Sequence, residues 1–186
     1  DYTFWGKYGI RDYRGGGRSS GRETIGRVAA GAIAVQILEE LGITICAYTK
    51  SIGSVEIEQF DATEIHKNPL AMPDANAAKN RLYMPDKAAA AEAESYMEDM
   101  MQRRDSCGGV VECVIRGLPA GVGEPVFDKL DATLAKAMLS IGAVKGFEIG
   151  DGFLAATATG STNNDAFVIQ DEQVKKQTNH SGGVLG

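Results

Sequence analysis

Long hydrophobic runs are missing from this 186-residue chain. The longest uncharged apolar stretch, Val28 to Leu38, is far shorter than the roughly 20 residues a membrane helix needs, so no membrane partner is expected. A basic surplus is missing as well: 19 Lys and Arg stand against 25 Asp and Glu, for a net charge of −6. That balance argues against a nucleic-acid binder, which presents a basic face. The three cysteines, Cys46, Cys107 and Cys113, are odd in number and form no CxxC pair, which leaves no case for a zinc site or a disulfide framework. They read as buried thiols in a reducing compartment, and a cytoplasmic protein is the expectation. His66 and His180 are the only histidines and have no metal-ligand spacing around them, so surface or capping roles are favoured over catalysis. P-loop, GxGxxG, HExxH and kinase patterns are all absent, and short motifs alone identify no enzyme.

What is present is the make-up of a globular protein, 44% hydrophobic and 24% charged, long enough for one sizeable core. The stretch DYRGGGRSSGRETIGRVAAGAIAVQ, Asp12 to Gln36, is its most informative part. Ser20-Gly21-Arg22-Glu23 fits a capping box opening a helix. Ile25, Val28, Ala29, Ile33, Ile37 and Leu41 recur at three- and four-residue spacing, which predicts a helix to about Leu41 with Gly42 ending it. Its small residues leave the helix thin, so something is expected to pack closely along it. The start of such a helix is also an anion site, because first-turn amides are unpaired and carry partial positive charge. Ser19 and Ser20 supply hydroxyls, Arg18 and Arg22 supply planar charged donors, and Gly15–Gly17 let a ligand approach the backbone. Structural capping with solvated arginines accounts for the same residues, and pattern alone leaves both readings open.

Elsewhere the spacing predicts a loop with short strand pieces over 1–17 and a strand over Ile43–Thr49. A second helix is expected from Pro85, at its first position, to about Arg104. VVECVIRG reads as a strand, followed by a loop and a helix carrying Val126, Leu130, Leu134, Ala137, Met138 and Ile141 on one face. One or two strands turning at Gly150-Asp151-Gly152 should come next. Residues 50–84 and 161–178 read as variable or flexible segments. Helices and strands alternate without a βαβ period, which favours an α+β fold with helices layered on antiparallel sheets. Glu148 and Asp151 are a weak acid/base pair. The abrupt DYTFWGKYG opening and the glycine-rich NHSGGVLG close suggest part of a longer chain.

At these residues the chain resembles chorismate synthase. DYTFWGKYGIRDYRGGGRSSGRET followed by GRVAAGAIA, then GLPAGVGEPVFDKLDATLAKAMLSIGAVKGFEIGDGF, and finally NHSGGVLG are similar to three signature stretches of that family. The resemblance implies a lyase of the shikimate pathway of aromatic amino-acid biosynthesis. That enzyme eliminates phosphate from 5-enolpyruvylshikimate 3-phosphate, anti and 1,4, to give chorismate. It implies a flavoprotein requiring reduced FMN with no net redox change, acting as a homotetramer. Position by position, Arg18, Ser19 and Ser20 match an Arg-Ser-Ser that contacts FMN. Gly142-Ala143 matches a two-residue flavin contact whose first member is commonly Asn, so only a backbone contact is expected at Gly142. Gly186 matches a flavin-site glycine and Arg22 an arginine beside the substrate. Gly21 stands where Ala is usual. The family's catalytic histidines and aspartate would lie outside residues 1–186, so this stretch would form the central part of one catalytic domain and be inactive alone. A non-catalytic module of the same fold, binding phosphate, flavin or a partner subunit, is the other reading.

Overall fold

Residues 2–58 and 81–185 are described in the computed structural model. Contacts divide the chain into two compact units, Asp1–Gly31 with Pro119–Gly186, and Ala32–Leu118. Among the described residues the elements are helices and antiparallel strands, the α+β class expected.

The second unit holds every buried apolar side chain among the described residues. Its sheet has the order β2-β1-β3, with β1 at Thr44–Ile52, β2 at Val55–Glu56 and β3 at Gly109–Arg116. β1 pairs antiparallel with both neighbours, and the Ile52–Val55 pairing leaves a two-residue Gly53-Ser54 hairpin loop. Glycine first in such a loop is the type II′ preference. Helix α3, Lys87–Gln102, opens on Asp86, whose carboxylate accepts from the Ala88 and Ala89 amides. The cap is therefore Asp86, and Pro85 stands one residue before it rather than at the first helical position. Capping wins because a carboxylate satisfies amides that proline can only forgo. Val55, Met84, Ala89 and Ala93 form the core, with Ile52, Ile57, Leu82, Ala90 and Tyr96 packed around them. The 81–84 segment is laced to β1, the Thr49 amide donating to the Tyr83 carbonyl at 2.9 Å and its hydroxyl to the Leu82 carbonyl at 2.6 Å. Cys46 and Cys107 are half-buried and Cys113 is exposed, so the expected burial of all three thiols does not hold. Cys113 faces out because it alternates with the inward Glu112 and Val114 along β3.

Helix α2 spans Thr24–Glu40 and ends as expected. Gly42, at φ +76°, turns the chain while the Ile43 amide donates to the Leu38 carbonyl and the Gly42 amide to that of Glu39, a Schellman ending. Its stripe of Ile25, Val28, Ile33, Ile37 and Leu41 lies exposed.

The first unit departs further from expectation. Tyr2–Tyr8 is a helix, α1, where a loop with strand pieces was expected. Phe4 and Tyr8, one turn apart, bring their rings to 5.6 Å, and the Gly9 amide closes the last turn on the Trp5 carbonyl. Helix α4 is Leu130–Leu139, leaving Val126 and Ile141 outside it. The strands expected over 143–160 are not formed; Gly152–Thr157 is a 310 helix. Its entry is held by a chain-distant partner, the Asp151 amide donating to the His180 carbonyl at 2.8 Å, so no sheet edge is offered. Within 161–178 lies a hairpin of β4, Phe167–Gln170, and β5, Gln173–Lys176. It turns through Asp171 and Glu172 at φ +52° and +60°, the type I′ backbone that suits strand twist.

Candidate functional site

Three glycines shape the turn that carries the basic cluster. Gly17 sits at φ +53°, and a Cβ on Gly16 would press on the Ser20 amide. The backbone therefore folds back tightly: the Ser19 amide and hydroxyl both donate to the Gly16 carbonyl, at 3.0 and 2.7 Å. Ser20 then extends and residues Gly21–Glu23 make a 310 turn before α2. The Ser20 side chain caps nothing, so the expected capping box is not formed. Glu23 is drawn elsewhere, lying 3.6 Å from Arg18 and 4.0 Å from Arg27. The Ser19 hydroxyl keeps acceptor capacity, and the Ser20 hydroxyl makes no hydrogen bond among the described residues. Arg18 is 94% exposed. Arg22 is exposed too and makes no ion pair or side-chain hydrogen bond among the described residues.

Arg27 connects this turn to a second one. Its Nη2 donates to the Ser140 carbonyl at 3.1 Å and to the Ser140 hydroxyl oxygen at 3.2 Å. Ser140 in turn donates its hydroxyl proton to the Ala137 carbonyl at 2.6 Å. Just beyond, Ile141–Val144 is closed by the Val144 amide on the Ile141 carbonyl. Gly142 has open space where a Cβ would stand, and Ala143 is held at φ +70°. A non-glycine residue in that region is strained, and such strain clusters at functional sites. The structure thus links the neighbourhoods of the two turns nominated from sequence. Gly186 lies outside the described residues, as does His66.

A polar knot that sequence reasoning missed lies in the same unit. The Asp165 carboxylate, its side chain only 5% exposed, accepts from the Thr178 hydroxyl, the His180 and Ser181 amides, the Ser181 hydroxyl and Lys176. Burial alone would push its pKa up, but the hydrogen bonds from Thr178, the Ser181 amide, Lys176 and the Ser181 hydroxyl more than offset that and hold it well below the usual carboxylate range. Beside it His180 meets Asp151 through Nδ1 at 2.6 Å. Asp151 is thus the hydrogen-bond partner of His180. Among the described residues no group of three or more His, Cys, Asp or Glu could hold a metal, and no helix is long and apolar enough to cross a membrane.

A family model described as chorismate synthase matches residues 1–186. The chain belongs to the chorismate synthase family. A chorismate synthase of Agathobacter rectalis is 61% identical across 100% of this chain and 48% of its own length. One from Methanosarcina mazei is 48% identical across 100% of this chain and 49% of its own. A solved structure described as a crystal structure of chorismate synthase superposes with a TM-score of 0.84 at 33% identity, over 100% of this chain and 58% of that one. The chain spans about half the length of the curated relatives it matches.

Proposed function

We propose that residues 1–186 form the central part of a chorismate synthase catalytic domain. In the whole protein that domain removes a ring proton and the phosphate from 5-enolpyruvylshikimate 3-phosphate, on opposite faces. The C–H electron pair moves into the new ring diene and the C–O pair leaves with phosphate. Reduced FMN, when bound, supplies an electron transiently and regains it, so the reaction has no net redox change. The donor set fits that group. Arg18 offers an almost fully exposed guanidinium, the Ser20 hydroxyl makes no hydrogen bond among the described residues and can donate, and the Ser19 oxygen can accept. Gly142 and Ala143 present open backbone, with Gly186 completing the flavin contacts. Arg22, without a partner among the described residues, grips the substrate phosphate. No residue among these moves the ring proton; that group lies in other parts of the protein. The homotetrameric state and cytoplasmic location belong to this same reading.

The observation that carries the proposal is the exposed basic and hydroxyl set on one glycine-shaped turn, in a chain matched throughout by the family model. A fluorescence titration of FMN into the full-length chain, with and without 5-enolpyruvylshikimate 3-phosphate, tests it. Saturable quenching that tightens with substrate is expected; its absence refutes the proposal.

A further inference from the structure

We infer that Arg27 is the positioning residue of this site, locking the Arg18–Ser20 turn and the Gly142–Ala143 turn into one geometry; the inference rests on the flavin reading above. The two turns are carried by segments far apart in the chain, and Arg27 and Ser140 are 113 residues apart. A single guanidinium spans the gap. Nη1 faces Glu23 at 4.0 Å while Nη2 reaches two Ser140 acceptors at 3.1 and 3.2 Å.

The Ser140 end is chemically suited to a cation. Ser140 is the C-terminal cap of α4, where backbone carbonyls lack intrahelical partners and the helix end carries partial negative charge. Arg27 satisfies one of those carbonyls and fixes the residue from which the strained Ile141–Val144 turn begins. At the other end, Glu23 is shared between Arg27 and Arg18. Arg27 holds Glu23, and Glu23 holds Arg18 as a stand-in anion that an arriving phosphate displaces. Only the forked, planar arginine serves both ends, because lysine offers one compact ammonium on a shorter reach.

The test uses the full-length chain and the variants Arg27→Ala, Arg27→Lys and Ser140→Ala. FMN titration should give a graded series: affinity about 10-fold weaker for Arg27→Ala and about 3-fold weaker for Arg27→Lys. Ser140→Ala keeps the carbonyl acceptor and should fall within about 2-fold of the native protein. Amide exchange should quicken at 141–144 in Arg27→Ala and stay unchanged in β1. Activity should show a raised KM for flavin with kcat at saturating flavin nearly native. Native affinity in Arg27→Lys and Arg27→Ala, with the unsubstituted chain binding FMN, overturns this role alone, and Arg27→Lys by itself decides the matter should Arg27→Ala not fold. An unsubstituted chain that binds no FMN overturns the flavin reading and this role with it.

Discussion

Replacing Ala143 with glycine should stabilise the protein and weaken its ligand site at once. At φ +70° the Ala143 Cβ crowds the following carbonyl, which costs an L-residue about 1–2 kcal/mol. Glycine removes that crowding but frees the unfolded chain, a penalty of about 0.4–1 kcal/mol. Ala143 is exposed, so its methyl takes no packing with it. The net expectation is a gain of about 0.5 kcal/mol, which a urea slope of about 2 kcal/mol per M turns into a midpoint shift near 0.25 M. The same change lets the Ile141–Val144 turn sample other shapes, so FMN affinity should fall about 2- to 4-fold through lost preorganisation. Ala143→Val provides the opposite sign, because a β-branched residue in the left-handed region is a severe outlier and should cost about 1 kcal/mol or more. Urea unfolding by circular dichroism and the FMN titration, run on the same three full-length proteins, check both halves. A destabilising glycine, or a valine indistinguishable from alanine, would refute the claim that this turn is strained.

Other expected outcomes address the core and the polar knot. Met84 is 1% exposed, and Met84→Ala should cost about 2–3 kcal/mol, the lower part of the usual range because half-buried Ile52, Ile57 and Leu82 can partly close the void. Met101→Ala, at a residue 74% exposed, should stay within about 0.5 kcal/mol; equal losses in urea unfolding would sink the core assignment. Asp165 is held below its ordinary pKa, so it contributes stability that is present above about pH 4 and drains away as pH falls toward its folded value. Asp165→Asn should therefore unfold at lower urea than the native protein at pH 7, with the gap narrowing from about pH 4 downward. A gap that stays constant over that window would show that the carboxylate's charge is irrelevant.

Local signals carried the elements that the sequence made legible. The α2 periodicity and Gly42 announced a helix and its end, and Pro85 announced α3, although the residue that caps it is the next one, Asp86. The β4–β5 hairpin was hidden because its turn uses Asp171 and Glu172, not the Asn-Gly or Asp-Gly pair that signals such a turn. Residues 143–160 read as strands because their β-branched and aromatic content suits a sheet, while what shapes Asp151 is the carbonyl of His180, nearly thirty positions on. The site divides the same way. Arg18, Ser19, Ser20 and Arg22 stand together in one string and were visible in it. Arg27 looked like one more polar residue on a helix, since nothing local points to Ser140. Asp165 lay in a stretch whose polarity suggested only solvent, because its five donors come from residues 176–181.

The uneven distribution of apolar burial has a thermal consequence. All buried apolar side chains among the described residues belong to Ala32–Leu118, whereas the unit bearing the candidate site relies on hydrogen bonds and ion pairs. Exposing apolar surface raises heat capacity and exposing polar surface lowers it. Opening of Ala32–Leu118 should therefore follow a curved stability profile that weakens on cooling as well as heating. Opening around Arg27 and Asp165 should follow a nearly straight one, governed by enthalpy. One chain thus contains two parts that should answer cold differently, and the part that carries the candidate site is the one whose order cooling should preserve.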